Sequence, residues 1–262
     1  MDIMFDAIAR ITPGLALAVG VLALALVAGP GPGYKYGIIP LPTVFDMLKY
    51  GAMVGMAAGG LGVIAILARL ISGQGALALA LIGLLFGVAA TGFVMNFRAQ
   101  ATAVPPIHDI TTDTENPPQF VAAIALREAA GAANPPEYVG NEPEPGDTGR
   151  TIREAQLAYY PDLQSVFLDA DPGVVSAAIL ATIEEMGWDL IEANTLEGRF
   201  EAIDTTFWYG FKDDVVIRMD PQRDGAVRVD VRSKSRVGVS DVGANAARIR
   251  EFLGALTART GG

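Results

Sequence analysis

The sequence predicts an α+β protein in two parts: a transmembrane anchor of three helices, then a soluble antiparallel sheet covered by helices. Of its 262 residues 51% are hydrophobic and only 18% are charged, a balance too apolar for a water-soluble protein of this length. Long apolar stretches lie before residue 98, whereas short alternating segments separated by turns follow residue 162. We therefore divide the chain into a transmembrane region, residues 1–98, a Pro-rich linker, residues 99–161, and a soluble α+β domain, residues 162–262.

Three apolar stretches in the first part are each close to the ~20 residues that a helix needs to cross a bilayer. They lie at about residues 12–28, 50–70 and 76–96, and none contains Asp, Glu, Lys or His. An ionisable residue inside a span is the usual mark of an ion or proton path, so we do not expect a channel or transporter. The lipid bilayer is the first partner that the sequence predicts.

Small residues recur one helical turn apart in the second and third stretches, and such ridges let helix backbones approach closely. They are Gly51, Gly55 and Gly59, then Gly83, Gly87 and Thr91. We expect these two faces to pack closely. The connection Gly29–Gly33 contains two prolines and is expected to be non-helical.

The pattern of apolar residues and turns in the soluble part predicts the element order β-α-β-β-β-β-α. The strands are expected at residues 166–170, 188–194, 199–205, 214–220 and 227–235, and the helices at 172–186 and 240–258. Asp171 and Pro172 supply the N-cap and first-turn proline of the first helix. This order is best built as an antiparallel sheet with helices on one face. The linker is expected to be an extended arm with a short helix near residues 120–130.

Charge and composition exclude several classes of function. Residues 1–98 carry five basic and three acidic side chains, so the remainder must carry −12 for the whole chain to reach −10. A part this acidic repels nucleic acid, which is therefore not an expected partner. The chain contains no cysteine and no metal-ligand or nucleotide-binding motif, so neither a metal nor a cofactor is expected.

The candidate ligand site lies where the strand 227–235 meets the last helix. A glycine-bearing turn there offers backbone N–H groups that attract anions. The candidate residues are Arg232, Ser233, Ser235, Arg236, Ser240, Asp241, Asn245 and Arg248. We expect Arg232 to be structural and Arg236 to be exposed. One alternative is a half-buried strand with a solvated, charged outer face. Another is a purely structural network in which Asp213 and Asp214 neutralise the same arginines.

A catalytic role is the competing hypothesis. His108 is the only histidine, and an aspartate follows it, a pair that suggests a general base. There is no serine-elbow motif and no second histidine, so no catalytic residue is assigned and an enzyme is the less favoured class. The alternative function is an envelope hydrolase or transferase. Its candidate residues are Asp213, Asp214 and His108, with Arg232 and Arg236 as clamps.

Three motifs stand out in the soluble part: Phe211-Lys-Asp-Asp-Val-Val216, Val231-Arg-Ser-Lys-Ser-Arg-Val-Gly238, and Ser240-Asp-Val-Gly-Ala-Asn245 with Arg248. Together they resemble the bacterial and plastid family called domain of unknown function 1499, over roughly residues 105–256. The resemblance implies no assigned activity. Its exported or lipid-anchored members imply that the domain faces away from the cytoplasm. The family's cysteine-bearing segment is replaced here by Asn116–Phe120, which argues against a thiol-dependent role.

The favoured function is a membrane-tethered binding or scaffolding module. Its expected partners besides the bilayer are an anionic small molecule, or a membrane or periplasmic protein. The expected location is the bacterial inner membrane, as a multi-pass protein with a periplasmic soluble domain.

Three spans predict that the amino terminus and the soluble domain lie on opposite sides of the membrane. The positive-inside count hardly separates the two orientations, because Arg10, Arg69 and the terminal amine on one side face Lys35, Lys49 and Arg98 on the other. Together with the exported members of the resembled family, it leads us to expect the amino terminus in the cytoplasm. Reporter fusions after Gly73 and at the carboxyl end should report opposite compartments. An active cytoplasmic reporter at the carboxyl end would contradict this topology.

Overall fold

The structure, a computed structural model, describes residues 2–261, with side chains for residues 4–261. It divides into two compact units. The first contains the residues up to Gln100 together with Phe207–Gly210, and the second contains Ala101–Thr206 together with the chain from Phe211 onward. The first unit is largely helical, whereas the strands described here belong to the second.

Four helices make up most of the first unit. They are α1 (Asp2–Ala28), α2 (Pro30–Lys35), α3 (Leu41–Ser72) and α4 (Leu77–Ala103). The segments long and apolar enough to cross a membrane are Met4–Lys35, Leu41–Ser72 and Leu77–Ala103. The three predicted apolar helices are therefore confirmed. Each is longer than the apolar stretch that predicts it, because helical hydrogen bonding continues into the polar flanks.

The connection after α1 is helical, contrary to the prediction. The Gly29 N–H donates to the Ala25 carbonyl at 2.9 Å, and the Gly33 N–H donates to the Gly29 carbonyl at 3.0 Å. Pro30 and Pro32 lie in the first turn of α2, where the missing proline N–H leaves no bond of that helix unmade. Two prolines are compatible with a helix here because both lie in its first turn.

The small residues of α3 and α4 make close contacts, but not all with each other. A Cβ added at Gly55 would lie 2.6 Å from Thr91 Oγ1, and one added at Gly87 would lie 2.5 Å from the Gly55 carbonyl oxygen. The nearest neighbours of Gly51 and Gly83 belong to α1 instead. The expected close packing of α3 on α4 is therefore found at Gly55 and Gly87. Gly51 and Gly83 instead allow the close approach of α1.

The second unit is built on a six-stranded antiparallel sheet. Its strands are β1 (Asp109–Thr111), β2 (Val166–Leu168), β3 (Asp189–Asn194), β4 (Arg199–Thr205), β5 (Lys212–Pro221) and β6 (Val227–Ser235). Their spatial order is β1-β6-β5-β4-β3, with β2 also paired to β6. The helices are α5 (Ala122–Ala129), α6 (Ile152–Tyr159), α7 (Pro172–Glu185) and α8 (Ala244–Thr260). The predicted order from β2 to α8 is confirmed, and β1, α5 and α6 precede it.

One face of the sheet carries the hydrophobic core of this unit. Alternate residues of β6, from Val227 to Val231, are fully buried in one cluster with residues of α7 and α8. Trp188 stacks on Phe252 of α8, with ring centroids 5.5 Å apart. Asp171 caps α7 as predicted, since its Oδ1 accepts a hydrogen bond from the Gly173 N–H at 2.7 Å.

The other face of the sheet is covered by residues 117–138, which we call the arm. Phe120 packs on Val216 of β5. Glu201 of β4 accepts the backbone N–H groups of Val121–Ala123 at 2.9–3.0 Å and so fixes the start of α5. The charged face of β6 is therefore buried, and the alternative of a solvated outer face is wrong.

Candidate functional site

The sequence-predicted site residues divide between the two faces of the sheet, because side chains alternate along a strand. On the α8 face lie Ser233, Ser235 and Asp213, with Asn245 and Arg248 of α8; on the arm face lie Arg232, Arg236 and Asp214. The predicted set therefore forms two clusters and not one site.

On the α8 face, Arg248 ties α8 to the sheet. Its Nη2 donates to Asp213 Oδ2 at 2.7 Å, and its Nε donates to Asp204 Oδ2 at 2.8 Å. Asn245 Oδ1 accepts from Arg248 Nη1 at 2.5 Å, while Asn245 Nδ2 donates to Ser235 Oγ at 3.0 Å. These donors and acceptors satisfy one another, which is the character of a structural network.

The turn before α8 already holds a carboxylate. Asp241 accepts from the Gly243 N–H at 2.7 Å and from the Asn245 N–H at 3.0 Å. Ser240 Oγ accepts from the Val242 N–H at 3.1 Å. Burial raises the pKa of Asp241 to about 6, although the two N–H groups oppose that rise. The backbone groups expected to attract an anion therefore serve Asp241.

His108 and Asp109 are consecutive but turn to different partners. His108 Nδ1 lies 3.2 Å from the Val239 carbonyl oxygen, and burial lowers the pKa of His108. Asp109 pairs with cations of β6. The two side chains considered as a general-base pair are thus engaged separately.

On the arm face, Asp109 joins β1 to β6. It accepts from Arg232 Nε at 2.8 Å and from Arg232 Nη2 at 2.9 Å, and its Oδ2 lies 3.0 Å from Lys234 Nζ. The Arg232 guanidinium carbon lies 4.8 Å from the Phe120 ring centroid and 5.4 Å from that of Tyr138. Burial alone would raise the pKa of Asp109, but the two cations outweigh burial and lower it.

Asp214 of β5 binds two arginines on the same face. Arg236 donates to both its oxygens, from Nη2 at 2.6 Å and from Nε at 2.9 Å, and Arg127 of α5 donates to Oδ2 at 2.5 Å. Arg236 is only 5% exposed, so the expectation that it is exposed is wrong. The reason is the arm, because the Leu126 carbonyl of α5 accepts from Arg236 Nη1 at 3.4 Å.

The buried cations of the arm face outnumber the carboxylates that pair with them. The buried cationic residues, which we call the cation cluster, are Arg127, Arg232, Lys234 and Arg236. Within the described chain their ion pairs are to Asp109 and Asp214, so four cationic groups share two carboxylates. Burial lowers the pKa of Lys234 and the pKa of Arg127. Asp109 opposes this change at Lys234, and Asp214 opposes it at Arg127. The positive charge of Arg232 lowers both pKa values further. Arg127 Nε is buried without a hydrogen-bond partner.

Residues 134–138, which we call the strap, cover the cation cluster with backbone carbonyls. The acceptors are the carbonyl oxygens of Asn134 (from Arg127 at 2.8 Å), Pro136 (from Arg232 at 3.0 Å) and Glu137 (from Lys234 at 2.6 Å). Uncharged carbonyl oxygens thus accept hydrogen bonds that a charged oxygen would accept more strongly. Two of the strap residues are prolines without an N–H, so the carbonyl bonds are important in holding the strap.

Sequence reasoning missed two members of this cluster, Arg127 and Lys234, and the carboxylate partner Asp109. Asp109 attracted notice only as the neighbour of His108, and Arg127 lies in the segment interpreted as a linker. The available signal was the unusually charged face of β6, which needs a covering layer of matching polarity if it is buried. No group of three or more His, Cys, Asp or Glu positioned for a metal ion occurs within residues 4–261.

Comparison with known protein families gives one match. Residues 109–256, more than half of the chain, match the family described as Protein of unknown function (DUF1499). The matched region begins at Asp109 of β1 and includes the strap and the whole cation cluster. No curated protein matches the chain.

The shared carboxylates predict an asymmetry between substitutions in the cation cluster. Asp214→Asn leaves Arg127 and Arg236 buried without a carboxylate, and we expect it to cost about 3–5 kcal/mol of unfolding free energy. Lys234→Met removes one surplus cation and leaves Asp109 paired with Arg232, so we expect a change below about 1 kcal/mol. Thermal melting of the full chain in an uncharged detergent measures the change in unfolding free energy for both variants. Equal losses in the two variants would contradict the sharing of two carboxylates by four cations.

Proposed function

We propose that this chain, which belongs to the DUF1499 family of proteins of unknown function, is a membrane-tethered binding module that recognises an anionic group at its cation cluster. The observation that carries the proposal is that four buried cationic side chains share two carboxylates as ion-pair partners within residues 4–261. The other buried carboxylates near this face have other partners, since Glu201 accepts backbone N–H groups at the start of α5 and Asp230 pairs with Arg218 and Arg228. Two cations on one carboxylate are incompletely neutralised, and an anionic ligand would supply further negative charge.

The donors with spare capacity are Lys234 and Arg127. Arg232 and Arg236 are each committed through two nitrogens to one carboxylate. Lys234 Nζ has three N–H groups and bonds one carboxylate oxygen and one carbonyl, while Arg127 Nε has no partner. A phosphate or carboxylate group would bind these donors and displace strap carbonyls, which are weaker acceptors than a charged oxygen.

The proposed location is the bacterial inner membrane, with the second unit on the periplasmic side. Three apolar helices support insertion in a membrane, and the exported or lipid-anchored members of the family that the chain resembles support the periplasmic side. A tether of this kind keeps the binding domain close to the envelope. The anionic group would therefore belong either to a soluble small molecule or to the headgroup of an envelope lipid.

The test measures the melting temperature of the full chain in uncharged detergent. One arm adds sodium phosphate against sodium chloride at equal ionic strength, and another adds phosphatidylglycerol to the micelles. Saturating ligand should raise the melting temperature by about 3 °C or more, since a ligand that binds only the folded state stabilises it. A rise with phosphate indicates a soluble ligand, and a rise with the lipid alone indicates a headgroup.

Two variants make this test specific. Lys234→Met should abolish most of the rise, because it removes a proposed ligand donor. Arg250→Met is the matched control, since it removes one positive charge from a surface ion pair with Asp162 and should leave the rise intact. No rise in either arm, or an equal rise in both variants, would overturn the proposal.

A further inference from the structure

The loop between β4 and β5 carries three aromatic residues in a row, Phe207, Trp208 and Tyr209. Turns between antiparallel strands normally consist of small or polar residues. Here the Phe207 side chain is 83% exposed and that of Trp208 is 45% exposed. Exposed aromatic residues of this size on a loop mark a surface that something else covers.

The base of this loop is fixed by hydrogen bonds. The Thr206 N–H donates to the Phe211 carbonyl at 2.9 Å, and the Phe211 N–H donates to Thr206 Oγ1 at 2.9 Å. Gly210 adopts a φ of +68°, a value that favours glycine and closes the turn. The aromatic residues are therefore presented on a defined turn.

The loop shares its unit with the apolar helices. Phe207–Gly210 group with the first unit, in which Lys35 ends α2 and the apolar segment Met4–Lys35. Lys35 Nζ donates to the Phe207 carbonyl at 2.8 Å and lies 5.2 Å from the centroid of its ring. Lysine and aromatic residues at the end of an apolar span are the usual anchors at the boundary between headgroups and acyl chains.

We propose that Phe207 and Trp208 insert into the headgroup boundary of the bilayer, as a membrane contact additional to the three apolar helices. The chemistry favours lipid as the occupant, because aromatic rings partition to that boundary without needing opposite charge. The chain after residue 98 carries a net charge of −12, so attraction to anionic headgroups does not explain the contact. Insertion should therefore persist in uncharged lipid and at high salt.

The chain contains two tryptophans, which makes the loop directly observable. Trp188 is 6% exposed in the core, so Trp188→Phe leaves Trp208 as the single reporter. The full chain is reconstituted in phosphatidylcholine vesicles whose acyl chains carry bromine either near the headgroup or near the chain end. Trp208 fluorescence should be quenched, and more strongly by bromine near the headgroup.

The matched control is Trp208→Phe, in which Trp188 is the only reporter and should be quenched much less. Equal quenching of the two tryptophans, or none, would overturn the proposal. Protection of Trp208 from an aqueous quencher without quenching by brominated lipid would also overturn it, because the loop would then be covered by protein.

Discussion

Two buried carboxylates join β1 and the arm to the centre of the sheet. Asp109 of the edge strand β1 binds Arg232 and Lys234 of β6, whereas Asp214 of β5 binds Arg127 of the arm. Ion pairs removed from water must match in geometry, because an unmatched buried charge costs several kcal/mol. The register of β1 on β6 and the position of α5 both depend on this match. Without the arm, the charged residues of β6 would form an ordinary solvated face.

The same arrangement explains why the four cations share two carboxylates. The buried carboxylate of Glu201 accepts backbone N–H groups at the start of α5, and carbonyls of the strap accept the remaining hydrogen bonds of the cations. Carbonyls accept hydrogen bonds but carry no net charge, so they do not neutralise the cations. The strongly acidic chain around it opposes anions at long range. Recognition of an anion would therefore depend on short-range contacts with Arg127 and Lys234.

The sequence predicted the elements better than their surroundings. Alternation located the strands from β3 to β6, and Asp171 with Pro172 located the start of α7, because both signals are local. Alternation also assigned the charged residues of β6 to one face, but it carries no information on what covers that face. The covering layer lies about a hundred residues earlier in a Pro-rich segment whose composition resembles that of a linker. Arg236 was misjudged for this reason, and the predicted site residues, which were expected together at α8, divide between the two faces of the sheet.

Hydrogen exchange of the full chain, with and without phosphate, tests whether the cation cluster under the strap binds an anion. Phosphate should slow exchange in β6, whose buried cations gain a counter-ion, and in β1, which pairs with β6. It should speed exchange at Asn134, whose N–H bonds the Arg236 carbonyl, because the strap loses its carbonyl bonds to the cations. Unchanged exchange in both regions, or slowing in both, would contradict the account.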